Sequence, residues 1–180
     1  MLGSPTRDQL RQAYSDAWRK HVAGSPLTPL ETMLADVIGL HPEYQALVND
    51  GDAALAFEPG AVSVAENPFL HMGLHMAVRE QVAIDRPPGI RDLHRRLQTL
   101  CGDVHGAEHV LMEALAETLW EAQTAGRPAD ESHYLSLARG RLAAGAAILS
   151  VANSRGAGES TLAVRGSGSS NSNAICFRCG

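Results

Sequence analysis

The sequence predicts an all-α fold, an irregular antiparallel bundle of about six helices followed by a disordered C-terminal tail. Two observations carry this. Apolar positions are mostly Leu, Ala, Val and Met with aromatics at only 4%, a composition that favours helices over sheets. Those positions also recur at steps of three and four between short stretches rich in Pro and Gly.

The elements follow in order. Leu10, Tyr14, Ala17, Trp18 and His21 share one face of a first helix, which Ala23-Gly24-Ser25-Pro26 ends. Thr28-Pro29-Leu30-Glu31 starts the second: Thr28 can cap, Pro29 suits the first helical position, and Glu31 sits where a capping box places its acid. Its apolar stripe is Leu30, Leu34, Val37 and Ile38, with His41 as the next member. Pro42 then breaks the helix or opens a short one to Val48. Asn49 to Asp52 reads as a turn, and residues 53–66 show no clean period. Asn67-Pro68 starts the third long helix, which Asp85 to Gly89 stops. A fourth runs from Ile90 to Leu100, a fifth follows the N-cap Asp103 and continues to Ala125-Gly126, and a sixth runs from Asp130-Glu131 to about Ser150. Short connections make neighbours antiparallel.

Residues 1–152 therefore read as a single helical domain. Residues 153–180, dominated by Gly and Ser, read as an extension with almost nothing to bury. Residues 1–152 carry 12 Lys/Arg against 19 Asp/Glu, and the tail three Arg against one Glu. An acidic body argues against nucleic-acid partners, which need clustered cations. The longest apolar stretch, Leu142 to Ala152, has eleven residues, short of the roughly 20 that span a membrane. No apolar leader opens the chain, and three cysteines make no disulfide framework, so the expectation is a cytoplasmic protein. A protein partner or a second copy of the chain is compatible with all of this.

The chemistry resides in the histidines. His71-x3-His75 and His105-x3-His109 each place two imidazoles on one side of a helix, and Glu113 extends the second set by one turn. His71 and His75 lie beside or within their helix's core stripe; His105 lies beside its own and Glu108 within it. His41 ends another. Imidazoles and carboxylates converging on an interior need partners, and a transition metal satisfies several at once. The candidate ligands are His41, His71, His75, His105, His109 and Glu113, a mixed set that suits zinc, iron or manganese. The alternative is a non-catalytic interaction or structural module whose histidines form a hydrogen-bonded core network. Glu108 is open to three roles: hydrogen-bond acceptor for a ligating histidine, ligand, or core-edge acid paired with an arginine.

Other chemistry has less support. His105-x2-Glu108-His109 matches the inverted zinc-protease string, but only over five residues. No phosphate loop, dinucleotide fingerprint or nucleophile elbow is present. Cys101 reads as core, and Cys176-x2-Cys179 supplies too few ligands for a site. His21, His94 and His133 read as surface or boundary positions.

Several separate strings resemble one uncharacterised bacterial family, the domain of unknown function 1841. They are Trp18-Arg19-Lys20, Pro26 to Glu31, His41-Pro42-Glu43-Tyr44, Asn67 to His71, Arg79-Glu80-Gln81, Arg86 to Ile90, His105 to Glu113 and Trp120 to Gln123. The resemblance spans roughly residues 6–140. It implies a bacterial cytosolic protein and a pattern that includes His41, His71, His75, His105, His109 and Glu113, but it supplies no activity.

Overall fold

The computed structural model describes residues 5–58 and 67–156, with side chains as far as residue 150. Among them there are helices and no strands: α1 (Arg7–Val22), α2 (Pro29–Leu40), α3 (Pro42–Asn49), α4 (Gly51–Ala56), α5 (Pro68–Ile84), α6 (Ile90–Cys101), α7 (Val104–Thr124) and α8 (Glu131–Gly156). Among the described residues no helix is long and apolar enough to cross a membrane. Contacts divide the chain into two compact units, Met1–Ala77 and Val78–Gly180, and α5 supplies residues to each.

In the first unit, α1 packs on α2, α3 and α4. Both α1 and α2 begin with complete capping boxes, Thr6 with Gln9 and Thr28 with Glu31, which satisfy amides that have no partner within the helix. The core gathers Tyr14, Ala17, Trp18, Leu34, Val37, Ile38, Val48 and Met72. Leu10 and Leu30, the first members of their expected stripes, are exposed. Periodicity assigns a helix face but does not say how far along it the neighbouring element extends. The short α4 was not legible as a helix. Asp50, expected inside a turn, accepts from the Ala53 amide and caps it.

Arg11 is a buried cation in this unit. Its Nη1 donates to the Leu55 carbonyl at 2.9 Å, and its guanidinium lies over the rings of Phe57 and Phe69. The contact turns a charged position on α1 into an anchor for the end of α4.

In the second unit, α6, α7 and α8 pack on one another. On α6, Ile90, Leu93, His94 and Leu97 are buried together, the i, i+3, i+4, i+7 stripe of a core-facing helix. His94 is thus an interior residue, not the boundary position its isolation in sequence suggests. The signal was its place between Leu93 and Leu97. α8 and α6 approach closely at Gly145, where a Cβ would meet Leu100 Cδ2 at 2.6 Å. α8 continues to Gly156, beyond the expected end near Ser150, and takes in residues 153–156. The rest of the tail expected over 153–180, residues 157–180, lies outside the described residues.

His94 gives a pH test. Its Nε2 is buried without a hydrogen-bond partner among the described residues. Burial lowers its pKa against the smaller opposing pull of Glu108. Below the unfolded reference of about 6.5 the unfolded chain binds the extra proton, so this contribution to stability is full above that pH and is lost as pH falls through and below it. His94→Leu is expected to unfold in urea at the same or higher concentration than wild type at pH 7.5. It should also lose less stability than wild type between pH 7 and 5. Equal pH slopes for the two proteins would contradict the assignment.

Candidate metal centre

The five candidate histidines come from two kinds of local structure. His41 stands at a helix boundary. Pro42 disfavours helical geometry for the residue before it, and His41 adopts φ −123° and ψ 74°, ending α2 and starting α3. Its imidazole, 3% exposed, is held from three sides. Nδ1 lies 2.9 Å from Glu43 Oε1, Nε2 lies 3.0 Å from His75 Nε2, and the Tyr44 ring stacks on its face at 5.2 Å.

His71 and His75 follow on α5, one turn apart. His75 is fully buried. The His71 ring packs edge-on against His41 at 4.6 Å, with His75 5.0 Å away and Tyr44 5.7 Å away. The helix pattern did not single out Glu43. Its signal was Pro42 at the first position of α3, which puts Glu43 in the first turn, two residues past a candidate ligand. Burial pulls the Glu43 carboxyl up. Hydrogen bonds from its own backbone amide and from His41, with the charges of His41 and His71, more than offset this and hold it below the usual range.

His105 and His109 occupy the first two turns of α7, their rings 4.2 Å apart. The helix start is fixed by Asp103, whose carboxylate accepts from the Gly106 amide at 2.6 Å. Gly106 also lets this turn close on α6, since a Cβ there would lie 3.1 Å from Cys101 Cβ.

His41 and His75 thus form one imidazole pair in the unit Met1–Ala77, and His105 and His109 a second in the unit Val78–Gly180. Imidazole nitrogens of this kind are ligands a transition metal can use. The two other sequence candidates have different neighbours. His71 packs beside His41 and His75, and Glu113 is half exposed with Arg141 Nε 3.5 Å from its carboxylate. A helical step of four beyond His109 carries Glu113 towards α8, where Arg141 also meets Glu117 at 2.7 Å.

Of the three roles open to Glu108, the structure supplies the ion pair. Its carboxylate, 3% exposed, receives Arg79 Nε at 2.8 Å and Nη2 at 3.3 Å. This two-pronged bond suits a planar guanidinium. Arg79 lies one turn after His75 on α5, and Glu108 directly precedes His109 on α7, so the pair joins the two helices that carry three of the four imidazoles.

An all-helical protein with a cluster of imidazoles is the class these features define. Residues 6–140 match the family model described as Domain of unknown function (DUF1841), and the chain belongs to that family. Among curated proteins and solved structures nothing matches it.

The Arg79–Glu108 pair predicts an asymmetry. Arg79→Met leaves a buried carboxylate without its cation and should cost about 3 kcal/mol or more, whereas Arg79→Met combined with Glu108→Leu should recover most of that loss. Chemical denaturation of both variants measures it. A single variant within about 0.5 kcal/mol of wild type would mean the pair does not hold these helices.

Proposed function

We propose that this protein binds one divalent transition metal ion through His41, His75, His105 and His109, and that zinc is the ion the donor set suits best. The observation that carries the reading is the 3.0 Å approach of His41 Nε2 and His75 Nε2, with a second imidazole pair, His105 and His109, one turn apart on α7. Zinc–nitrogen bonds of about 2.0–2.1 Å set the ligand atoms of a tetrahedral site about 3.3 Å apart. The His41–His75 separation of 3.0 Å is already near that value. With no carboxylate in the group, oxygen-preferring manganese is disfavoured.

Glu43 supports the reading as a positioning residue. If its carboxylate accepts the His41 Nδ1 proton, Nε2 keeps the bare lone pair a metal requires. His75 can then donate its Nε2 proton to His41 in the metal-free protein, and metal binding replaces that hydrogen bond. Four protein ligands would complete a tetrahedral zinc and leave no position for water, so the role proposed for the ion is to hold structure. The direct His41–His75 contact favours a second reading, a hydrogen-bonded core network with no metal. Under it chelators leave the melting temperature unchanged, and His41→Leu with His75→Leu is tolerated.

Metal analysis of the full chain purified without a polyhistidine tag separates the two. About one equivalent of zinc is expected, falling below about a tenth in His75→Ala, with a rise of several degrees in melting temperature on adding zinc to chelated protein. Glu43→Gln should weaken zinc affinity by about 10- to 100-fold. Less than a tenth of an equivalent of any transition metal, with no thermal shift on adding zinc, would overturn the proposal.

A further inference from the structure

A cleft of about 660 Å³ lies in the unit formed by Val78–Gly180, between α6 and α8. That volume falls within the range of small-molecule sites, about 300–1,000 Å³. None of the histidines lines it, so it is independent of the metal reading.

The run of the helices gives the cleft two unlike ends. α7 and α8 are antiparallel, since His133 pairs with Glu121 while Arg141, about two turns further along α8, pairs with Glu117 and reaches Glu113. α6 and α7 are antiparallel too: Cys101 meets Gly106, and His94 feels the charge of Glu108. α6 and α8 therefore run in the same direction. They touch where Leu100 lies over Gly145. Arg96 precedes that contact by one turn of α6, and Arg139 by nearly two turns of α8, about 6 and 9 Å back along the axes. Both arginines thus stand at one end. Ala146 and Leu149 follow the contact and make the other end apolar.

Charge decides what fits. The chain carries a net charge of −5, yet among the described residues the only charged side chains lining this cleft are Arg96 and Arg139. Both are exposed, and neither makes a hydrogen bond or ion pair among the described residues. Their neighbours are neutralised, Arg95 by Asp92 and Arg141 by Glu117. The Thr99 hydroxyl has given its proton to the Arg95 carbonyl at 3.2 Å, so the two guanidiniums are the side-chain donors of the lining. Each presents a planar fork of N–H groups that matches the two oxygens of a carboxylate.

We propose that this cleft binds a single-chain amphiphilic carboxylate, its head held by Arg96 and Arg139 and its tail lying along Leu142, Ala146 and Leu149. The stretch from Arg139 to Leu149 spans about 15 Å of helix, the reach of an unbranched acyl chain of medium length. The small side chains of Ala143 and Ala146 leave the room that such a tail takes.

The experiment is calorimetric titration of the full chain at pH 7.5 with decanoate, below the concentration at which it forms micelles. Acetate, the head without the tail, and decyltrimethylammonium, the tail with the opposite charge, are the comparisons. Saturable binding of one decanoate per chain is expected, at least tenfold tighter than either. Arg96→Gln combined with Arg139→Gln removes both cations at exposed positions, and should keep the wild-type melting temperature while weakening decanoate at least tenfold. Ala146→Phe fills the apolar end from an exposed position and should weaken decanoate by a similar factor. No saturable binding of decanoate to the wild-type chain, equal binding of decyltrimethylammonium, or unchanged affinity in either folded variant would overturn the proposal.

Discussion

A buried imidazole is stabilised by partners for its ring nitrogens, and this structure sets one such imidazole at the centre of its chemistry. His75 has no exposed surface, and its Nε2 faces His41 Nε2 at 3.0 Å. Two ring nitrogens can share that distance only when one carries a proton and the other does not. If Glu43 accepts a proton from the far nitrogen of a neutral His41, Nε2 is left bare and the shared proton comes from His75. The metal reading grows from this contact: the arrangement that lets His41 accept a proton from His75 is also the arrangement that presents a lone pair to a cation.

Rigid support surrounds that contact. Tyr44 stacks on His41, and His71 sets its edge against the same ring, which leaves little freedom for the imidazole to turn away. Arg79 grips Glu108 with two nitrogens, fixing side chains one turn past His75 and one residue before His109. Ligand groups held by packed neighbours lose little freedom when an ion arrives, and so bind more tightly than the same groups on loops.

Much of this was legible in the sequence. Helical periodicity placed the long helices, and the Thr28-Pro29 and Asn67-Pro68 signals placed starts at residues 29 and 68. The His-x3-His spacing singled out His71, His75, His105 and His109 as candidates. Other features depend on what lies opposite each residue. Nothing local distinguishes His75, whose nitrogen meets His41, from His71, whose ring packs edge-on. Glu113 follows His109 at helical spacing but has Arg141 of α8 within reach of its carboxylate. Glu108 needed Arg79, 29 positions away, and Arg11 needed the Leu55 carbonyl and two phenylalanine rings. His94 was legible in principle, since Ile90, Leu93 and Leu97 place it within one apolar helix stripe.

The identity of the donor atoms is the most direct test of the account. X-ray absorption at the zinc edge of the loaded full-length protein reads it without reference to any fold. The account predicts a shell of nitrogen alone at about 2.0–2.1 Å, with the outer-shell scattering that imidazole rings produce. A sulfur contribution at about 2.3 Å would move the ion to Cys101 or to the Cys176-x2-Cys179 segment and contradict a histidine site.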